Sequence, residues 1–125
     1  MGGEELSGMD KPGPISDASV PAAGKGALSM SPRPSAVPTL QVDNERVRVT
    51  EWRFAPGAAT GWHRHEYDYV IVPLTTGRLL LEEPGGGTRH GEMTAGASYF
   101  RNAGVEHDVI NDNAYDFTFV EIEMK

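Results

Sequence analysis

The chain has 125 residues and no cysteine, and its 18 acidic residues outnumber 11 basic ones to give a net charge of −7. Such totals fit one small domain and exclude disulfides, thiolate metal sites and cysteine nucleophiles. The acidic balance and the lack of a basic run argue against nucleic acid and anionic membranes as partners; no stretch approaches the roughly 18 apolar residues of a membrane span, and with no basic-then-apolar leader at the start a cytoplasmic protein is expected.

Residues 1–39 are crowded with Gly, Pro, Ser and Ala and have no hydrophobic period. That composition predicts a flexible tail, because it buries too little apolar surface to offset its ordering entropy. The folded domain is expected over residues 40–125, where short runs alternate with turn residues. Arg46–Phe54 alternates and ends at Pro56-Gly57. Thr60–His65 is the next strand, then Tyr67–Leu74, rich in β-branched and aromatic residues, where Pro73 predicts an edge or a bend. Arg78–Glu83 and Thr88–Met93 flank the turn Pro84-Gly85-Gly86-Gly87. Ala97–Arg101 and His107–Ile110 flank Asn102-Ala103-Gly104. Tyr115–Met124 sets Tyr115, Phe117 and Phe119 against Thr118, Val120 and Ile122, which predicts a solvated face for Glu121 and Glu123. No segment holds a 3.6-residue apolar period, so an all-β sandwich or barrel is expected, with a double-sheet jelly roll the best match.

Three of the four histidines fall into two segments, Gly57-x5-His63-x-His65 and Gly104-x2-His107-x3-Asn111. In a strand, residues two apart point to one face, so His63 and His65 project together and Arg64 away. Neutral imidazole suits iron, zinc, copper and nickel. Two histidines from one strand and one from a later strand can cap one face of an ion.

These segments resemble the two motifs of the cupin superfamily. The first runs Gly-x5-His-x-His, three or four residues, Glu, six residues, Gly, matched here by Gly57, His63, His65 and Gly77. The second runs Gly-x5-Pro-x-Gly-x2-His-x3-Asn, matched by Gly96, Gly104, His107 and Asn111, with Asn102 in place of Pro. Two gapped patterns in order are far more specific than one HxH. The stretch Trp62-His-Arg-His-Glu-Tyr-Asp-Tyr-Val-Ile-Val-Pro-Leu is also similar to small bacterial single-domain cupins, some of them linked with β-alanine degradation.

The resemblance implies a double-stranded β-helix that binds a divalent metal and a small molecule as a homodimer. The first motif's Glu is missing: Val70 or Tyr69 takes its place by the two ways of counting, and a bulge would be needed to bring Asp68 or Glu66 inward. A three-histidine site without a carboxylate resembles thiol and diketone-cleaving dioxygenases, which implies Fe(II) first, with Zn, Ni or Mn as substitutes. On that resemblance His63, His65 and His107 are the metal ligands, and Tyr69 or Tyr99 donates a hydrogen bond to substrate or oxygen.

Among other candidates, Tyr67 could also line the pocket. Arg53, Arg78 and Arg101 could pair with a substrate carboxylate, and Arg101 is preferred beside the second motif. His90 reads as a solvated residue of the Gly-rich hairpin. Trp52, Trp62, Phe54, Phe100, Phe117 and Phe119 are expected as core or dimer contacts. Two other functions stay open: a non-catalytic small-molecule binder, and a redox-neutral isomerase or lyase acting on an acidic sugar.

Overall fold

The alternating runs form nine strands in the computed structural model, which describes residues 33–125; residues 1–32, most of the expected tail, lie outside the described residues. In chain order the strands are β1 (Val37–Asp43), β2 (Val47–Phe54), β3 (His63–Arg64), β4 (Asp68–Pro73), β5 (Gly77–Glu82), β6 (Thr88–Met93), β7 (Tyr99–Arg101), β8 (Glu106–Asn111) and β9 (Phe117–Met124). They make two sheets, one ordered β1-β2-β9-β4-β7 and one ordered β3-β8-β5-β6. All pairings between these strands are antiparallel. This is the expected jelly roll.

Strand parity decides what faces the interior. Along β4 the buried residues are Tyr69, Ile71 and Pro73, and along β2 they are Thr50, Trp52 and Phe54. Phe54 and Phe117 are wholly buried and anchor a core with Phe119, Ile71, Leu79 and Leu81. Burying such a side chain contributes about 1.5–3 kcal/mol. Pro73 belongs to an inner strand, but β7 pairs only Tyr69–Ile71, so Pro73 lies beyond the reach of that neighbour. Its missing N–H therefore breaks no ladder bond on that side.

Three elements differ from expectation. Strand β1 begins at Val37, inside the segment read as tail, and pairs with β2 through a bulge between Leu40 and Val42. The run Thr60–His65 is mostly irregular, with only His63–Arg64 in strand geometry. On β9, Glu121 and Glu123 face inward while Val120 and Ile122 face outward, the reverse of the expected polarity. Phe117 and Phe119 set that parity: once two large aromatics point inward, a regular strand carries residues 121 and 123 in with them.

Candidate metal centre

The histidine pair is positioned by hydrogen bonds rather than by a long strand. His65 N–H donates to Val105 O (2.9 Å), and Gly104 N–H donates back to His65 O (2.8 Å). Gly104 adopts φ +98°, a conformation that other residues adopt only with strain, so this turn of the second motif requires glycine. His63 and His107 sit directly opposite each other in the β3–β8 register. Asn111, wholly buried, spans the gap between strands: its Nδ2 donates to Phe54 O (3.1 Å), Ala55 O (3.2 Å) and Tyr115 O (2.8 Å).

The result is a convergence of three imidazoles. His63 Nε2 lies 3.0 Å from His65 Nε2, which lies 3.1 Å from His107 Nε2. His63 Nδ1 is 2.8 Å from Gly61 O. A carbonyl only accepts, so Nδ1 carries the proton and Nε2 presents its lone pair to the cluster. Desolvation holds all three imidazoles below the usual value of 6.5, His63 at about 3; mutual repulsion adds to the shift at His65 and His107. They are therefore neutral and able to ligate at pH 7.

The donor set fits a metal ion. Two metal–nitrogen bonds of about 2.1 Å at right angles separate their nitrogens by about 3.0 Å, and at a tetrahedral angle by about 3.4 Å. The two observed separations match neighbouring ligands near right angles, the three nitrogens all lie within 4.8 Å of one another, and a cation among them would satisfy all three lone pairs. Around the rings is a cavity of about 20 Å³, lined by Trp52, Tyr69, Tyr99, Arg101 and Glu121 among others. That is room for about one water. Outside it lies an open groove of about 600 Å³ that shares Leu81, Tyr99 and Arg101 with the cavity. Those three side chains form the boundary between metal cluster and groove.

Tyr69, not Val70, fills the inward slot of the missing carboxylate, and its ring stacks on His65 at 3.8 Å. Its hydroxyl is buried with no hydrogen-bond partner among the described residues, and burial raises its pKa far above the usual 10. Burial also raises that of Tyr99. Both hydroxyls are therefore proton-bearing donors. Arg101 stands opposite Tyr69 in the β4–β7 register and pairs with no carboxylate among the described residues. Its charge opposes the rise at both tyrosines.

The remaining candidates stand elsewhere. Asp68 is exposed and accepts from Ala103 N–H (2.8 Å), which secures the second-motif turn, and Glu66 is exposed. Arg53 pairs with Glu51 and Arg78 with Asp112. Tyr67 is not in the cavity lining; the Arg48 guanidinium lies 5.7 Å from its ring centre. His90 faces Asp112 (3.0 Å) on the groove side, apart from the cluster. Trp62 and Phe100 are about half exposed and not core residues, unlike Trp52, Phe54, Phe117 and Phe119.

Sequence reasoning put Glu121 on a solvated face and so did not count it among the site residues. Its carboxyl is 4 % exposed, accepts from Trp52 Nε1–H through Oε1 (3.1 Å), and places Oε2 3.4 Å from His65 Nδ1. Burial, reinforced by Glu123, pushes it up to about 8. Glu123 is held by Arg48 Nε (2.7 Å). The missed signal was the parity of Phe117 and Phe119.

Residues 50–123 match the cupin domain family model, and the chain belongs to the cupin family. It is 66% identical over 96 residues to the beta-alanine degradation protein BauB of Pseudomonas aeruginosa, covering 77% of this chain and all of that one. A cupin domain from Bordetella pertussis, solved by crystallography, is similar at 61% identity and a TM-score of 0.74, over 76% of this chain and 98% of that one. A double-stranded β-helix protein from Klebsiella pneumoniae shares only the fold, at 19% identity and a TM-score of 0.60, over 72% and 76% of the two chains.

Proposed function

We propose that the chain is a mononuclear metalloenzyme of the dioxygenase type, with His63, His65 and His107 as ligands to a divalent metal, Fe(II) first and Zn, Ni or Mn as substitutes. The observation that carries this reading is the convergence of three imidazole nitrogens with no carboxylate among them. His63, His65 and His107 would hold the iron, which would supply one-electron chemistry toward dioxygen when bound. Arg101, at the boundary between groove and cavity, holds a substrate carboxylate with its planar fork of donors. Tyr69 donates its unpartnered hydroxyl to substrate or oxygen, since a buried hydroxyl left unsatisfied costs about 1–3 kcal/mol. Tyr99 does the same from the rim, and the apolar lining, Ile71, Leu79 and Val109 included, excludes water. The name of the Pseudomonas relative agrees with a small carboxylate as substrate. The protein acts as a cytoplasmic homodimer; among the described residues no helix is long and apolar enough to cross a membrane.

One observation favours a second reading, redox-neutral isomerase or lyase chemistry. Glu121 lines the cavity and offers the acid or base that such a reaction needs. Oxygen-uptake assays on the iron-loaded protein with small thiol, keto and hydroxy acids separate the readings. Substrate-dependent oxygen consumption is expected. Turnover without oxygen selects the second reading, and ligand-induced melting shifts without turnover identify a non-catalytic binder.

A further inference from the structure

We infer that Glu121 is the positioning residue for the metal ligand His65. This rests on the three-histidine reading above. A ligating imidazole must present its lone pair at one nitrogen, which is secured when the other nitrogen gives its proton to a fixed acceptor. His63 has such an acceptor in the Gly61 carbonyl. His65 has no backbone equivalent: its Nδ1 is buried and has no hydrogen-bond partner among the described residues. The group facing it is Glu121 Oε2 at 3.4 Å, a few tenths of an ångström beyond a charge-assisted hydrogen bond.

Glu121 is itself fixed. The Trp52 indole N–H holds its other oxygen, and both residues are buried. The His65 ring is clamped on one face by the Tyr69 ring. Metal binding displaces protons from the site, so the Glu121 carboxyl meets the His65 Nδ1–H as an acceptor; closing the short remaining gap needs only a small rotation, and it ties β9 to the histidine pair. His65 then points Nε2 at the ion in one tautomer and one orientation. Glu121 touches neither the ion nor the substrate in this role; it acts through His65.

The test uses the full chain, stripped of metal and titrated with Co(II) against a competing chelator at pH 7.5. The decisive variant is Glu121→Gln, which conserves volume. An amide has one acceptor and one donor end, so it cannot serve both the Trp52 and the His65 N–H groups. Co(II) affinity should fall about 10–100-fold. In the proton NMR spectrum of the Co(II) protein, the shifted exchangeable N–H signal of His65 should be lost or broadened by exchange, while that of His63 persists. A merely structural role would leave those two signals equally affected. Wild-type affinity together with an intact His65 signal in Glu121→Gln overturns the inference. Absence of Co(II) uptake by the wild-type protein, or full uptake by His107→Ala, overturns the three-histidine reading and this inference with it.

Discussion

At the residue scale, each side chain of the centre is defined by what its neighbours leave it free to do. Arg101 is the sharpest case, a partly buried guanidinium with no carboxylate partner among the described residues of a chain rich in acids. Arg101→Gln should raise KM for a carboxylate substrate, or Kd for a carboxylate ligand, by about 10–100-fold, since a hydrogen bond to a charged group contributes about 1.5–3 kcal/mol. Metal content should be unchanged, which inductively coupled plasma analysis of the same sample checks. That His63, His65 and His107 share one site was legible from the two motifs taken together, since an isolated HxH reads as ordinary polar residues on a strand. The orphaned Nδ1 of His65 and hydroxyl of Tyr69 were not: whether a polar atom has a partner depends on residues up to 56 positions away.

Parity is the property that belongs to the element. In β4 it turns Tyr69 in and Val70 out, which resolves the two ways of counting the first motif. Val70→Glu should therefore leave metal stoichiometry and the metal's absorption spectrum as in wild type, because the new carboxylate points away from the histidines. In β9 the same rule was applied wrongly from sequence. Val120 and Ile122 are apolar and Glu121 and Glu123 acidic, so composition argued one way and the aromatic pair argued the other. The aromatics won because they bury more surface, and Trp52 and Arg48 compensate the acids that follow them inward. Strand β1 escaped notice for a different reason. All seven of its residues are exposed, so it has no in–out pattern to read. Asn111 joins β8 to the ends of two other elements; Asn111→Ala should remove the amide that three carbonyls share and lower unfolding free energy by about 2–4 kcal/mol, as measured by urea denaturation.

For the whole molecule, the buried titratable groups set a pH optimum of stability in the metal-free protein. Burial holds the three histidines below 6.5, His63 at about 3, so below 6.5 each unfolded imidazole takes up a proton that its folded counterpart does not, and stability is lost as pH falls. Glu121 and Asp108 are raised by burial, to about 8 and about 6, so their contribution is present below their unfolded values and is lost as pH rises. Three groups outweigh two below pH 6, and only Glu121 acts above 6.5. Thermal melts should peak near pH 6.5, and Glu121→Gln should flatten the alkaline side. The proposed dimer belongs to this scale too. Val37, Leu40, Trp62 and Phe100 are exposed apolar residues, and a core this small gains from a shared interface.

Whether three imidazoles hold one metal ion is decided by metal analysis. The protein would be purified without a metal-affinity step, reconstituted with Fe(II) under anaerobic conditions, desalted, and its metal-to-chain ratio measured beside His107→Ala and His90→Ala. About one ion per chain is expected in the wild type and in His90→Ala, and near none in His107→Ala. A wild-type protein that takes up no metal, or a His107→Ala variant that keeps full occupancy, would contradict the three-histidine site.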